Sequence, residues 1–269
     1  MDFLHVDGIL QTIKSVQNLA RSGNLPKLSE DNDAVLEALL FRPMELEGLI
    51  PWSSNYTFLV SLAQPKFAQP FLAIYKPKQG ESPLWDFPQG TLYQREFLSY
   101  LLSQLLGWPN IPLTVLRDGT HGEGSVQLFI ETDLESHYFT LRDEPDLTTQ
   151  FQQMALFDLI INNADRKGGH CLKGKDGQIW AIDHGLTFHP DFKLRTVIWK
   201  FCNEAIPMAL LQDLERLQNL LVESSALGTI LAYFLTPQEL NALIERIRNL
   251  RDSEHYPMLQ PYNVPYPPI

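Results

Sequence analysis

Asn162-Asn163-Ala164-Asp165-Arg166-Lys167-Gly168-Gly169-His170, followed by Cys171 to Ile182 and then by Asp183-His184-Gly185, is the stretch whose reading decides the fold. Between its two polar pieces lie short apolar runs divided by Asp176-Gly177, and Asp-Gly is among the strongest two-residue hairpin signals. A hairpin centred on that dipeptide pairs Lys175 with Gln178, Gly174 with Ile179, Lys173 with Trp180, Leu172 with Ala181, Cys171 with Ile182 and His170 with Asp183. Directly opposed residues on antiparallel strands hold their Cβ atoms about 4.5–5.5 Å apart, so one divalent ion could bridge that imidazole and carboxylate.

The order Asp165, Lys167, His170 is similar to the Asp-x-Lys-x-x-Asn portion of protein-kinase catalytic loops, and Asp183-His184-Gly185 occupies the place of Asp-Phe-Gly. The chain more closely resembles the phosphatidylinositol 3-/4-kinase-like superfamily, particularly the type II lipid kinases, whose loops read Asn-x-Asp-Arg and Ala-Ile-Asp-Asn-Gly-Leu-x-Phe. The matching residues are Asn163-Ala164-Asp165-Arg166 and Ala181-Ile182-Asp183-His184-Gly185-Leu186-Thr187-Phe188. A bacterial branch of that superfamily is the expected home. His170 departs from the family pattern, which has Asn there. Imidazole suits Mn²⁺ or Zn²⁺ better than Mg²⁺ and must be neutral to coordinate, so metal-dependent nucleotide affinity is expected to fall as pH drops through about 6.5.

Composition bounds the alternatives. A chain of 269 residues, 44% hydrophobic and 20% charged, can bury a sizeable core. Its formal net charge of −11 argues against a nucleic-acid footprint and against an anionic membrane surface. Met1-Asp2-Phe3 lacks a basic leader, and no apolar run approaches the ~20 residues of a membrane span, so a cytoplasmic location is expected. Two cysteines, Cys171 and Cys202, support neither a disulfide framework nor a cysteine-rich zinc site.

The pattern along the chain fits an α+β, bilobal protein-kinase-like fold, with a small antiparallel β-rich N-terminal lobe and a helical C-terminal lobe. Residues 1–47 read as a helical extension, with Ile9, Ile13, Val16 and Ala20 at helical spacing before a break at Ser22-Gly23-Asn24 and Pro26, and a second helix over Asp33 to Leu40. Residues 48–131 read as the N-lobe, with strands at Thr57 to Leu62, Phe71 to Lys76 and Ser125 to Glu131. Residues 132–255 read as the C-lobe, with helices over Leu147 to Ile161, Ala209 to Val222 and Ala226 to Phe234. A further helix is opened by the capping box Thr236-Pro237-Gln238-Glu239. Residues 256–269 form a Pro-rich tail, either extended along the surface or disordered.

Strand alternation puts Lys76 on one face with Leu72 and Ile74, where a lysine needs a partner. Glu96 supplies a candidate from a strong helix over Leu92 to Leu106 that Gly107 stops. The two resemble the strand lysine and helix glutamate that aim an ammonium at nucleotide phosphates. No Gly-rich phosphate motif is present; Ser53, Ser54 and Asn55 stand where a nucleotide-covering hairpin would be. The resemblance places a hinge at Phe129, Ile130 and Glu131, whose backbone would meet adenine. Lys193, Arg195 and Lys200 form a small basic cluster after the metal turn that could hold an anionic substrate group.

What the resemblance implies is ATP-dependent phosphoryl transfer with a divalent metal, Mg²⁺ or Mn²⁺, to an acceptor that could be lipid, protein or small molecule. Lys76 would hold phosphates, Glu96 would orient Lys76, and Asp183 with His170 would bind the metal. Asp165 would orient or deprotonate the acceptor, and Lys167 would neutralise the γ-phosphate. Two rivals remain: a pseudokinase that binds nucleotide or scaffolds partners, and a metal-dependent hydrolase built on His170, Asp183, His184 and His189.

Overall fold

The computed structural model describes residues 6–21, 30–51, 53, 55–63, 70–133, 135–223 and 225–269. The expected helix break at 22–26 lies outside them. Two helices open the chain, α1 (Val6–Arg21) and α2 (Glu30–Phe41). Ile9, Ile13 and Val16 are buried, as the helical spacing requires.

Five strands then form one antiparallel sheet in the order β1-β2-β3-β5-β4: β1 (Met44–Leu49), β2 (Phe58–Leu62), β3 (Phe71–Pro77), β4 (Thr114–Gly119) and β5 (Gly122–Leu128). The strand expected over Ser125 to Glu131 ends at Leu128, so Phe129, Ile130 and Glu131 lie beyond it. β1 and β4 were not foreseen. β1 is an edge strand whose residues after Met44 are all exposed, with a register shift between Leu46 and Gly48; its short alternation, Met44-Glu45-Leu46-Glu47, breaks at the bulge before Gly48, and Leu46 lies exposed. β4 begins with three consecutive buried residues, Thr114 to Leu116, and therefore lacks a period of two.

Between β3 and β4 runs α3 (Leu92–Leu106), which buries Phe97, Leu98, Leu101, Leu102 and Leu105 and ends where Gly107 adopts a left-handed conformation. The C-terminal region is helix-rich: α4 (Tyr138–Leu141), α5 (Thr148–Ile161), the hairpin β6 (Cys171–Lys173) and β7 (Ile179–Ala181), then α6 (Met208–Glu223), α7 (Ser225–Phe234) and α8 (Pro237–Ser253). A sheet-rich region followed by a helix-rich one is consistent with a bilobal kinase-like arrangement. Among the described residues no helix is long and apolar enough to cross a membrane.

The capping box forms: Thr236 Oγ1 accepts the Glu239 N–H (3.3 Å) and Glu239 Oε2 accepts the Thr236 N–H (2.9 Å). The other oxygen of Glu239 takes Arg95 of α3 at 2.6 Å, and both side chains are buried. Arg95 also donates to the Thr187 carbonyl. α3 belongs to the sheet by sequence but is bolted to α8 by a charge pair that water does not reach. Arg95→Ala strands the Glu239 carboxylate in that site, and urea denaturation should show a loss of about 3–5 kcal/mol; a loss below about 1 kcal/mol would mean the pair carries no tertiary anchoring.

Candidate active site

β6 and β7 pair one residue out of the expected register: Cys171 faces Ala181, Leu172 faces Trp180 and Lys173 faces Ile179. The cause is the turn. The Gly177 N–H bonds the Gly174 carbonyl and the Gly174 N–H bonds the Gln178 carbonyl, both at 2.9 Å, with Gly177 at φ +78°. The chain thus turns through three residues, a tight turn followed by a left-handed glycine, instead of two. His170 consequently pairs with Ile182, whose N–H reaches the His170 carbonyl at 3.1 Å, and the expected direct opposition to Asp183 is lost. The side chains still meet, because Asp183 sits at φ +60° and its Oδ2 lies 3.3 Å from His170 Nε2. A non-glycine residue held in that region is uncommon and marks a position the surroundings dictate.

The loop before the hairpin is built on Arg166. Its guanidinium is fully buried against Asp158 of α5, with Nε 2.9 Å from Oδ2, and the Asn163 side chain donates to the same carboxylate at 2.9 Å. Its other nitrogens reach the carbonyls of His170 (3.2 Å) and Ile182 (2.7 Å) and His184 Nε2 (2.7 Å). One side chain therefore fixes the loop, both ends of the hairpin and the turn after it. Asn162 closes α5 at φ +55°, donates to the carbonyls of His189 and Asp191, and accepts the Lys193 N–H.

Lys76 of β3 reaches across to both acids. Its ammonium bonds Glu96 Oε1 and lies 2.8 Å from Asp183 Oδ1, while Glu96 Oε2 accepts the His184 N–H at 2.9 Å. Lys76, Glu96, Asp165 and Asp183 line one cleft, together with Ser53 and Asn55. Burial would raise the Asp183 carboxyl, but the Lys76 ammonium outweighs it and holds it well below the carboxylate range. Burial pushes Glu96 up against the pull of Lys76. Burial also lifts Asp165 to about 6, although Lys167, 3.4 Å away, pulls it down.

His170 is the group sequence reading singled out as a metal ligand, and Asp183 is the carboxylate its ring meets. Nδ1 lies 3.0 Å from the Asp165 carbonyl and 3.4 Å from the Lys167 N–H; the shorter contact sets Nδ1 as a donor. Nε2 then turns its lone pair towards the Asp183 carboxylate, a facing pair of electron donors that a cation would join. Burial lowers the His170 pKa to about 4, which moves the expected loss of coordination from about pH 6.5 to well below pH 5. The zinc set of the hydrolase reading is not assembled. His184 Nε2 is taken by Arg166, His189 Nδ1 accepts the Asp191 N–H at 3.0 Å, and among the described residues no three His, Cys, Asp or Glu side chains converge.

Other expected residues are placed less simply. The Ser53 hydroxyl bonds Thr57 Oγ1 (2.8 Å) and Asn55 Oδ1 accepts the Ser82 N–H (2.7 Å), so both support the hairpin as well as line the cleft. Ser54 lies outside the described residues. Phe129 gives its N–H to Leu72 (3.0 Å), Glu131 pairs with Lys175, and none of Phe129, Ile130 and Glu131 is among the residues lining the cleft. Two of the three basic residues are engaged elsewhere. Lys193 pairs with Asp86 (3.1 Å) over the Trp85 ring, Lys200 bonds the Arg142 carbonyl, and the Arg195 side chain is exposed. Sequence reading passed over Asp158, whose signal was an acid inside the apolar run Leu156-Phe157-Asp158-Leu159-Ile160. It also passed over Arg95. Carbon-detected NMR of His170 should show a ring that stays neutral from pH 8 to pH 5 and titrates near pH 4; a midpoint near 6.5 would contradict this burial.

The family profile described as phosphatidylinositol 3- and 4-kinase matches residues 114–227, from β4 to the beginning of α7 and so including the loop after α5 and the turn after β7. Protein Rv2133c of Mycobacterium tuberculosis is 35% identical, over 88% of this chain and 94% of its own length. The crystal structure of the Helicobacter pylori proinflammatory kinase CtkA superposes with a TM-score of 0.45 at 11% identity, over 80% of this chain and 93% of that one. By its match to the family profile and its near full-length relative, this chain belongs to the phosphatidylinositol 3-/4-kinase-like superfamily, in a bacterial branch that includes Rv2133c.

Proposed function

We propose that the protein is an ATP-dependent phosphotransferase acting on a hydroxyl acceptor. The observation that carries this reading is the convergence of Lys76, Glu96, Asp183 and Asp165 on one cleft, from β3, α3, the turn after β7 and the loop after α5. Nothing in packing alone requires a lysine bridging two acids beside a half-buried third one. Phosphoryl transfer does require it, since positioning and charge neutralisation supply most of its catalysis.

The geometry supports one role for each residue in this reading. Lys76, kept charged by Asp183 and Glu96, meets the nucleotide phosphates, and Glu96 sets its direction. Asp183 and His170 would hold a divalent metal, which supplies charge neutralisation at the phosphates. Asp165 accepts the acceptor proton as the acceptor oxygen bonds to the terminal phosphorus; the bond from that phosphorus to its bridging oxygen breaks and ADP leaves. A carboxylate near pKa 6 is ionised at neutral pH yet basic enough to share a proton. Lys167 is placed to offset charge next to Asp165. Phe129, Ile130 and Glu131 do not line the cleft, so an adenine contact through them would need the nucleotide to reach past its lining. Ser53 and Asn55 are assigned to the phosphate side. Arg195 is the better-placed partner for an anionic acceptor, because Lys193 is engaged by Asp86 and Arg195 bonds the loop through its backbone.

ATP turnover measured across Mg²⁺ and Mn²⁺ and across pH tests the proposal. The Asp165 carboxylate is present above pH 6 and lost below it, so kcat/KM should fall as pH drops through about 6. Asp165→Asn should lower kcat about 10²–10⁴-fold and remove that inflection. Nucleotide binding without turnover in either metal would instead favour the pseudokinase.

A further inference from the structure

Residues 260–269 lie against the loop that carries Asp165. The Pro268 carbonyl accepts the Gly168 N–H at 2.7 Å. Gly168 is enclosed there, since a Cβ on it would stand 3.0 Å from the Phe139 ring and 3.4 Å from the Pro268 oxygen. Asn263, only 4% exposed, commits its polar atoms to the same junction. Its Nδ2 donates to the Leu194 carbonyl (2.7 Å) and its carbonyl accepts the Thr196 N–H (2.7 Å). Oδ1 accepts the Gln260 N–H (2.8 Å), and the Asn263 N–H returns to the Gln260 carbonyl (2.8 Å).

Residues 194–197 in turn hold the catalytic loop: Arg195 donates to the Asn163 carbonyl and Arg166 to the Arg195 carbonyl, both at 2.9 Å, and Val197 donates to the Arg166 carbonyl at 3.1 Å. Segment, post-turn chain and loop are thus three layers joined by main-chain bonds. The side chains of Tyr262 and Tyr266 are 73% and 94% exposed, so their burial is not what fixes the segment. Asn263 and Pro265 are the buried residues of the segment, and Asn263 is the one that bonds the post-turn chain through its side chain. Arg166 anchors one side of the loop, but Lys167 and Gly168 lie beyond it, and Gly168 gives its N–H to residue 268.

We infer that residues 260–269 are a positioning element of the catalytic loop, setting how Asp165 and Lys167 meet the acceptor while leaving the grip of Lys76 and Glu96 on nucleotide untouched. This rests on the phosphotransfer reading. The segment touches the acceptor side of the site and makes no contact with β3 or α3 among the described bonds.

The test compares the full chain, a chain lacking residues 260–269, and full-length Asn263→Ala, the last deciding the matter if the shortened chain does not fold. Hydrogen exchange should quicken by about tenfold or more in peptides spanning 166–170 and 194–198 and stay unchanged in the 171–181 hairpin. ATP turnover should lose about tenfold or more in kcat with the nucleotide KM within about twofold, the pattern of a misplaced acceptor step. Unchanged exchange would overturn the contact. Faster exchange with equal or higher turnover would make the segment a cover over the acceptor entrance and overturn the positioning role, as would a loss confined to nucleotide KM. If the full chain turns over no ATP in either metal, the phosphotransfer reading and the catalytic role fail together, and exchange alone then shows whether the segment holds the loop.

Discussion

A guanidinium with no exposed surface, paired with an equally buried carboxylate, governs this site. Removing both charges from water costs several kcal/mol per ion, and the cost is offset only where every donor finds a partner. Arg166 meets that condition by reaching Asp158, two main-chain carbonyls of the hairpin and the ring of His184. Because each bond ends on a different piece of chain, satisfying one side chain fixes all of them at once. Asp165, next to Arg166, and Asp183, next to His184, inherit their positions from that network.

A second set of contacts joins the sheet-rich region to this network. Arg95 ties α3 to α8, Glu96 accepts the main-chain N–H of His184, and Lys76 spans Glu96 and Asp183. α3 therefore presents Glu96 without waiting for a ligand. A site assembled in advance loses less free energy to reorganisation when charge moves, which is where electrostatic catalysis gains most. The same contacts account for the carboxyl groups being driven apart. Asp183 sits beside an ammonium and stays ionised, whereas Asp165 answers mainly to burial and rises towards neutrality.

Much of this was legible in residue order. Lys76 stood out as a charged residue on an apolar strand face and Glu96 was matched to it by the resemblance to kinases, while the helices were legible because a period near 3.6 survives over several turns. The hairpin was placed correctly and registered wrongly: whether Asp-Gly closes a two-residue or a three-residue turn depends on which residue takes the left-handed conformation, and Gly177 takes it after a turn over Lys175 and Asp176. The engagement of Lys193 was not readable, because proximity to Arg195 and Lys200 in sequence says nothing of Asp86, which lies on another segment and captures it. Nor was the role of residues 260–269, whose composition reads as a tail either extended along the surface or disordered and does not tell which loop its main chain bonds. Charge pairs across long separations, such as Arg95 with Glu239, leave no local trace.

The most direct measurement is anomalous diffraction from Mn²⁺ in crystals grown with a non-hydrolysable ATP analogue. A phosphotransfer centre predicts a metal peak within coordination distance of Asp183, with the analogue's phosphates beside Lys76. A metal bound elsewhere, or an analogue lodged outside the cleft of Lys76, Glu96, Asp165 and Asp183, would contradict it.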